Sequence, residues 1–405
     1  MIGQLFPSVR WWHVFSAIVA LALTFVSARS AAIGLFASGM PSQALVLDAS
    51  NPIALMRRID NDIGDGGLNV PPKANWRPDA VASLRRQPIN PSALRTLGFV
   101  AASQGNQIQA RSLILLSQRL SRRDGLAQLW LVQDSAKRDD AKGALAHMDI
   151  ALSVRATLGP IIYPMLLQVI EDPRYAREFA NLVVSDRPWL LGFLTFANTD
   201  NPNPAALANV VGFVGRLPPG VDFRAQETNI LWSLANAGQL DRAAKLVVEL
   251  RRATPATLAD GRFLQATIDP KLGPFAWSPS VEADVSSAFE PGGILRATMT
   301  SGKGSIILQR YFALSDGPYV LTAKARSDIE DVDANIGVTV ECTSTTYALI
   351  NNVTATVSSK GGRVGNAFRV PPNCPLQLVR FTARSADSRT EGALMLSDIR
   401  LEKQK

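Results

Sequence analysis

The side chains that most often perform catalysis are scarce in this sequence. It has two histidines, His13 within an apolar N-terminal stretch and His147 beside Met148. A Ser-His-Asp or Cys-His site needs a histidine in a pocket, whereas the position of His147 is typical of a solvated helix residue. No G-x-S-x-G, H-E-x-x-H or G-x-G-x-x-G motif occurs. We therefore expect no enzyme, while paired carboxylates for glycoside cleavage stay open because distant carboxylates can meet in space.

The acidic residues do not have the spacing of a metal site. Asp60, Asp62 and Asp65 resemble the start of a calcium loop, but Asp65 occupies the position where that loop needs glycine. The distal glutamate of the loop is also missing. A helix end followed by a turn accounts better for these residues, and the sequence predicts neither a metal nor a cofactor.

The two cysteines, Cys342 and Cys374, both lie in the C-terminal region. In an oxidising compartment they would form a disulfide that closes a loop of about 32 residues. Two unrelated buried thiols are the alternative. Metal binding is not expected, because neither cysteine has neighbouring ligands.

Length and charge narrow the class of protein. A chain of 405 residues, 47% hydrophobic and 19% charged, is long enough for two or three packed domains. A formal net charge of +8 suits an anionic partner, such as phospholipid headgroups or an acidic polysaccharide. Nucleic acid is not expected, because the basic residues form scattered pairs, such as Arg57-Arg58 and Arg122-Arg123, on predicted helices.

The N-terminal stretch that begins at Trp11 is long and apolar enough to cross a membrane. The run WWHVFSAIVALALTFVSA would reach roughly 27 Å as a helix, and the apolar character resumes up to residue 36. We predict a transmembrane anchor over 11–36 with a short cytoplasmic tail over 1–10. Small residues at 26–28 would also suit a signal-peptide cleavage site, and a buried core helix is a third interpretation. Both the membrane anchor and the signal peptide place the rest of the chain outside the cytoplasm, in the periplasm of a bacterial-type envelope.

Residues 37–90 predict an irregular linker with one short helix, and 91–270 predict a helical domain. Small residues recur there with an offset of 34 residues, which suits close packing of paired helices. The pattern resembles the tetratricopeptide family, although Asp139 and Arg122 depart from it. The positions that carry this resemblance are Leu97, Gly98, Gly105, Ala110, Ala144, Ala151, Gly238, Ala243 and Pro255.

Residues 271–405 show a period of two instead. The run NIGVTVEC alternates apolar and polar positions, and comparable runs separated by glycine turns predict an antiparallel β-sandwich of jelly-roll type. With FAWS, DGPYVLTAKAR and LMLSDIRLEK, this region resembles jelly-roll carbohydrate-binding modules. The resemblance implies sugar stacking on Trp277, Tyr311 or Tyr347, and core positions are the alternative for each. Asp398 is placed where such modules sometimes hold a calcium ligand, without an identifiable partner acid.

Together these features predict a multidomain α plus β protein: a transmembrane helix, a tetratricopeptide-like solenoid and a β-sandwich. The expected role is a non-enzymatic, single-pass scaffold of the inner membrane that supports assembly or export of a surface polysaccharide. Its helices would bind envelope proteins and its sandwich would bind glycan. A protein–protein scaffold without sugar binding is the alternative, and a glycan-active enzyme is a remote one.

Overall fold

The computed structural model describes residues 11–64, 70–184, 187–200, 203–282, 284–300, 304–329, 333–343, 348–385 and 392–404. The chain forms two compact units, Met1–Leu158 and Gly159–Lys405. The first unit is helical in its described part, and the second combines helices with an antiparallel β-sandwich. The prediction of an α plus β protein with an N-terminal apolar helix, further helices and a C-terminal β-sandwich is thereby confirmed. The division between the units falls inside the span 91–270 that we expected to form one domain.

The first unit begins with a long apolar helix. Its elements are α1 (Trp11–Gly39), α2 (Pro41–Leu47), α3 (Pro52–Ile63), α4 (Trp76–Arg86), α5 (Pro91–Ser103), α6 (Gln107–Leu120), α7 (Gly125–Lys137), α8 (Ala141–Val154) and a 3₁₀ turn (Ala156–Leu158). The expected linker over 37–90 thus contains α2, α3 and α4 rather than one short helix. Helix α4 carries three arginines and one aspartate among its eleven residues, and its Trp76 lies in the same core as Ile59 of α3.

Asparagine or aspartate side chains cap the beginnings of α3, α5, α6, α7 and α8. Asn90, for example, accepts a hydrogen bond from the backbone N–H of Ala93 at 3.1 Å, and Asp124 accepts one from Ala127 at 3.2 Å. Such caps satisfy amide groups that have no partner inside the helix.

Pairs of these helices form hairpins at the spacing that the sequence pattern predicts. The turns between α5 and α6 and between α7 and α8 contain Gly105 and Asp139, both in the left-handed region with φ of 82° and 57°. Ala110 and Ala144 are buried at equivalent positions of the second helices. At Gly98 an added Cβ would lie 3.2 Å from the backbone oxygen of Ala110 and would clash with the side chain of Ile114. The small residues therefore set how closely the paired helices approach.

The second unit contains a third hairpin of this kind, in which Gly238 has φ of 72° and Ala243 is buried. Its helices are α9 (Gly159–Glu171), α10 (Pro173–Val183), α11 (Leu190–Thr195), a π-helical turn (Phe196–Asp200), α12 (Pro204–Val214), α13 (Val221–Asn236), α14 (Leu240–Glu249), α15 (Pro255–Ala259), α16 (Gln265–Ile268) and a 3₁₀ segment (Pro270–Phe275). Helices α13 and α14 form the third hairpin, and Pro255 begins α15.

The strands of the sandwich follow directly. They are β1 (Ser278–Pro279), β2 (Val281–Glu282), β3 (Val285–Glu290), β4 (Ile294–Met299), β5 (Ser305–Phe312), β6 (Gly317–Ser327), β7 (Ala334–Cys342), β8 (Ala348–Val357), β9 (Gly362–Val364), β10 (Ala367–Val370), β11 (Gln377–Ser385) and β12 (Gly392–Lys403). The front sheet has the order β1-β5-β11-β7-β8. The back sheet has the order β10-β6-β12-β4-β3-β2, with β9 also paired to β6. Apolar residues that alternate along both sheets form one shared core.

The sandwich is hydrogen-bonded to the short helices that precede it. The backbone N–H of Phe263 donates to the carbonyl oxygen of Ile399 at 3.2 Å, and that of Ala313 donates to Leu258 at 3.2 Å. The segment before residue 271 therefore belongs structurally to the sandwich, and the predicted boundary at 270/271 lies inside a continuous structure.

Candidate functional site

One side of the front sheet is open and polar at strands β11, β7 and β8. Alternate residues of β7 point into the core, namely Ile336, Val338 and Val340, all fully buried. The intervening residues lie on the outer side together with their register partners on β11 and β8. These outer positions are Asn335, Gly337, Thr339 and Glu341 on β7, Leu378, Arg380, Thr382 and Arg384 on β11, and Leu349, Asn352, Thr354 and Thr356 on β8. Apart from Leu378 and Leu349, the register partners of Glu341, these positions are polar or glycine.

Gly337 creates a groove in the middle of this outer side. It pairs in register with Thr382 on one side and with Thr354 on the other. An added Cβ at Gly337 would lie 2.6 Å from the Oγ1 atom of Thr382. The absence of a side chain at Gly337 therefore leaves space between the side chains of the neighbouring strands. The result is an open groove of about 300 Å³ whose lining includes Asn335 and Arg384.

The groove presents hydrogen-bonding groups of several kinds. The Oγ1 atom of Thr356 donates to Oδ1 of Asn335 at 2.7 Å, which orients the asparagine amide. Arg384 and Thr354 are exposed beside it. Hydroxyl, amide and guanidinium groups together offer both donors and acceptors to a polar ligand.

An ion pair borders the groove along β11 and β7. The Nη1 atom of Arg380 donates to the two carboxylate oxygens of Glu341 at 3.0 and 2.8 Å. The pair is partly exposed, with side-chain exposures of 29% and 17%. Glu341 thus points outward, as the alternation predicts, and is neutralised by a cation.

Two of the three expected aromatic platforms, Trp277 and Tyr311, do not form this site. Trp277 is 1% exposed and packs against Phe312 and Phe381 with ring centroids 5.4 and 5.9 Å away, so no sugar can stack on it. This corrects the stacking expectation for Trp277 in favour of its core alternative, because the indole fills the space between the sheets. Tyr311 is half-buried on β5, beside Leu378 in register and outside the groove lining. Tyr347 lies outside the described residues.

The carboxylate of Asp398 is paired with two cationic side chains. Its carboxylate accepts from Lys324 at 3.0 Å and from Arg400 at 2.7 Å, and hydrogen bonds from these side chains lower the pKa of Asp398. Across the described parts of the chain, no group of histidine, cysteine or acidic residues is arranged to hold a metal ion. Asp65, the third residue of the acidic cluster, lies outside those parts.

The remaining candidates have structural surroundings. The Sγ atoms of Cys342 and Cys374 are joined in a disulfide, with the Cα atoms 5.5 Å apart. His147 is half-buried rather than solvated; its Nδ1 lies 2.9 Å from Oε1 of Gln128, and burial lowers its pKa. Sequence reasoning missed the groove itself, because its residues come from separate strands and Gly337 carries no side chain to signal a function.

The chain is similar to known proteins only at the level of solved structures. No protein-family model and no curated protein matches the chain, so the tetratricopeptide resemblance stays a prediction. Among similar solved structures is the CBM22-1 xylan-binding domain from Paenibacillus barcinonensis, at 15% identity and a TM-score of 0.26, with 36% of this chain and 94% of that one covered.

Two further examples are similar to a comparable degree. The N-terminal cellulose-binding domain of Cellulomonas fimi β-1,4-glucanase C has 16% identity and a TM-score of 0.23, covering 38% of this chain and 99% of that one. A carbohydrate-binding module solved with β-1,4-galactotriose has 10% identity and a TM-score of 0.25, covering 35% and 99%. The similar structures are therefore carbohydrate-binding modules, and at these TM-scores none supports a function for this chain.

Proposed function

We propose that the groove on the outer side of the front sheet binds a glycan. The observation that carries this proposal is the polar groove around Gly337, lined by side chains that both donate and accept hydrogen bonds. Sugar hydroxyl groups need such mixed partners, which neutral amide and hydroxyl groups supply together with a guanidinium. The floor without a side chain leaves room for the flat C–H face of a sugar ring. Because the groove is open at the surface, it suits an internal stretch of a chain.

For the whole protein, we propose a membrane-anchored scaffold that supports assembly or export of a surface polysaccharide without catalysing a reaction. Helix α1 has the length and composition of a membrane span or a signal sequence. The helical hairpins of the first unit would bind envelope proteins, as paired helices with exposed faces commonly do. The sandwich would bind the glycan.

The proposal is tested by titrating the full-length, detergent-solubilised protein with cellotetraose, xylotetraose and galactotetraose. Arg384→Ala and Thr356→Val should weaken binding of the best of these ligands about tenfold, because each removes a hydrogen-bonding group from the groove. Arg369→Ala and Thr298→Val are matched controls, since both exposed residues lie on strands of the back sheet.

Equal binding by the groove variants and the unmodified protein would contradict the location of the site. Absence of binding to all three oligosaccharides, together with retained capture of envelope proteins, would favour the scaffold that binds no neutral sugar. Shortening of an oligosaccharide during incubation would contradict the non-catalytic part of the proposal.

A further inference from the structure

A second, larger cleft in the helical part of the second unit carries a strong positive charge. It has a volume of about 630 Å³ and lies where α12 and α14 end and α13 begins. Glu249 is the one acidic residue in its lining, and all residues of that lining are among those described. The basic residues of the lining are Arg216, Arg224, Arg251, Arg252 and Lys271.

Two of these arginines share one buried carboxylate. Glu227 is fully buried and accepts hydrogen bonds from Arg224 Nη1 at 2.7 and 2.8 Å, from Arg252 Nη2, and from the backbone N–H of Leu217 at 2.8 Å. One carboxylate cannot neutralise two guanidinium groups, so the cluster retains a positive charge. Burial lowers the pKa of Arg252, and the like charge of Arg224 lowers it further. An added anion would relieve this repulsion.

The other cations reach the cleft from its rim. Arg216 and Arg251 are exposed, and within the described residues neither forms an ion pair with a carboxylate. Lys271 pairs with Asp269 at 2.7 Å, and Glu249 pairs with Lys245 at 3.7 Å. The rim therefore has two arginines that are available to a ligand.

The backbone at Arg251 is strained. Its φ is 55°, a left-handed conformation that glycine adopts without steric conflict and that the Cβ of arginine disfavours. The conformation directly follows α14, where glycine is the residue most often found. An arginine at this position therefore lowers the stability of the folded protein and adds a positive charge to the cleft.

We infer that this cleft binds the anionic groups of an acidic saccharide, either carboxylate or phosphate. Arginine recognises both groups through paired hydrogen bonds, and a cleft of 630 Å³ can take more than a single ion. That the anion is part of a saccharide rests on the proposed function. The requirement for negative charge follows from the cleft alone.

The test uses the full-length, detergent-solubilised protein with three ligands: an oligogalacturonate, its neutral methyl ester and a phosphomannan fragment. The acid form should bind at least tenfold more tightly than the ester, and this difference should shrink as the salt concentration rises from 50 to 300 mM. Whichever of the two acidic ligands binds more tightly identifies the anionic group.

Arg251→Gly is the decisive variant, because it removes a cation and relieves backbone strain in the same change. It should weaken binding of the acidic ligand about fivefold or more without lowering the melting temperature, and Arg216→Ala should weaken it similarly. Arg119→Ala, a change of the same charge on α6, should not alter binding, and Asp139→Gly controls for relief of backbone strain elsewhere.

Equal affinity for the acid and ester forms would overturn this inference and leave the glycan groove untouched, since the ester reports on the groove. Binding of the acid form that is insensitive to both cleft variants would also overturn it. If inorganic phosphate binds as tightly as the acidic saccharides, the cleft is a site for a free anion and the saccharide assignment is wrong.

Discussion

Arg310 lies in the interior of the second unit, where its guanidinium is bonded to three backbone carbonyl groups. It donates to Phe275 at 2.8 Å, to Asp260 at 2.7 Å and to Thr257 at 2.9 Å. Its guanidinium also lies over the ring of Phe312, 4.5 Å from the centroid. Burial lowers the pKa of Arg310 to about 9, so the side chain stays charged at neutral pH. A strand residue thus holds the segment that precedes the sandwich.

Arg310→Met should lower the free energy of unfolding of the second unit by about 2–5 kcal/mol. The substitution fills similar space but leaves three buried carbonyl groups without their donor. Chemical denaturation of the full-length protein measures the loss. Arg174→Ala is a control, because its side chain is 75% exposed and its ion pair with Asp172 should contribute little. If Arg310→Met lowers the free energy of unfolding by less than Arg174→Ala does, the three carbonyl groups find other partners.

Asp134 in the first unit should make stability depend on pH. Its carboxylate accepts two hydrogen bonds from Arg111 at 2.8 Å and one from Arg138 at 3.2 Å. Burial raises the pKa of Asp134, but these hydrogen bonds and charges outweigh it and hold the pKa below 3.8. Its stabilising contribution is therefore complete above the unfolded-state value and is lost as the pH falls through the folded-state value.

Unfolding curves between pH 6 and 2.5 check this dependence by comparing the unmodified protein with Asp134→Asn. At pH 6 their free energies of unfolding should differ by about 1–2 kcal/mol, and at low pH they should converge. The expected difference is small because Arg111 is about one-third exposed and solvent screens its charge. Asp149→Asn, on α8 and outside this ion pair, is the comparison variant. A constant difference across the range would contradict the role of the Asp134 carboxylate.

At the scale of elements, stability depends on how closely helices and strands approach. In the hairpin of α5 and α6, Ala110 is fully buried and its backbone oxygen faces Gly98. In the front sheet, β7 pairs with β11 along its length, and the disulfide from Cys342 reaches the loop just before β11. The contact between α5 and α6 leaves no space for a larger side chain. The disulfide fixes the end of β7 to the loop before β11.

Ala110→Leu should destabilise the first unit by about 1–3 kcal/mol, because the added atoms overpack the contact between α5 and α6. Hydrogen exchange of the amides in 91–120 is the direct measurement, with faster exchange expected there. Leu120→Ala serves as the comparison, since Leu120 is 42% exposed near the end of α6 and its truncation should cost less. Unchanged exchange in the Ala110→Leu protein would contradict close packing at this position.

Removing the disulfide by the double substitution Cys342→Ser and Cys374→Ser should lower the free energy of unfolding of the second unit by about 3–4 kcal/mol. The bond closes a loop over a sequence separation of 32, and its loss gives the unfolded chain more freedom. Denaturation with and without reducing agent should show the same loss in the unmodified protein. Two reactive thiols in the unfolded, unreduced protein would contradict the bond.

At the scale of the whole molecule, α1 differs from every other helix described because large apolar side chains are exposed along it. Trp11, Phe15, Leu21 and Phe25 are each more than 60% exposed. Only its last turns pack, with Ala37 in a small cluster formed with α2 and α3. A helix of 29 residues reaches about 44 Å, more than the hydrocarbon core of a bilayer requires.

We expect the protein to remain with membranes after washing with carbonate or high salt, with residues 11–28 still attached. Exposed apolar side chains on this scale are stable in lipid and costly in water. Fractionation followed by N-terminal sequencing measures both properties. A mature chain that begins at Arg29 would show that the segment is a cleaved signal sequence.

Local patterns in the sequence were sufficient for many of the elements. The period of two in NIGVTVEC predicts β7 with Ile336, Val338 and Val340 facing inward, and the recurrence of small residues predicts the hairpin around Gly105. Such patterns are reliable because a strand or a helical hairpin places nearby residues on one face by backbone geometry alone. Helices α2 and α4 have no such pattern and were not predicted, because α2 is only seven residues long and charged residues interrupt the apolar positions of α4.

The sites, by contrast, were decided by tertiary structure. Whether an aromatic ring is a platform or a core residue depends on what covers it, and packing between the sheets buried Trp277. The groove depends on a strand register that places Thr382 beside Gly337, and the cationic cleft brings Arg216 near Arg251. Residues far apart in the chain carry no local signal of their proximity. Their proximity depends on how whole elements pack. The sequence by itself therefore determined most of the elements, and only the tertiary structure determined the candidate sites.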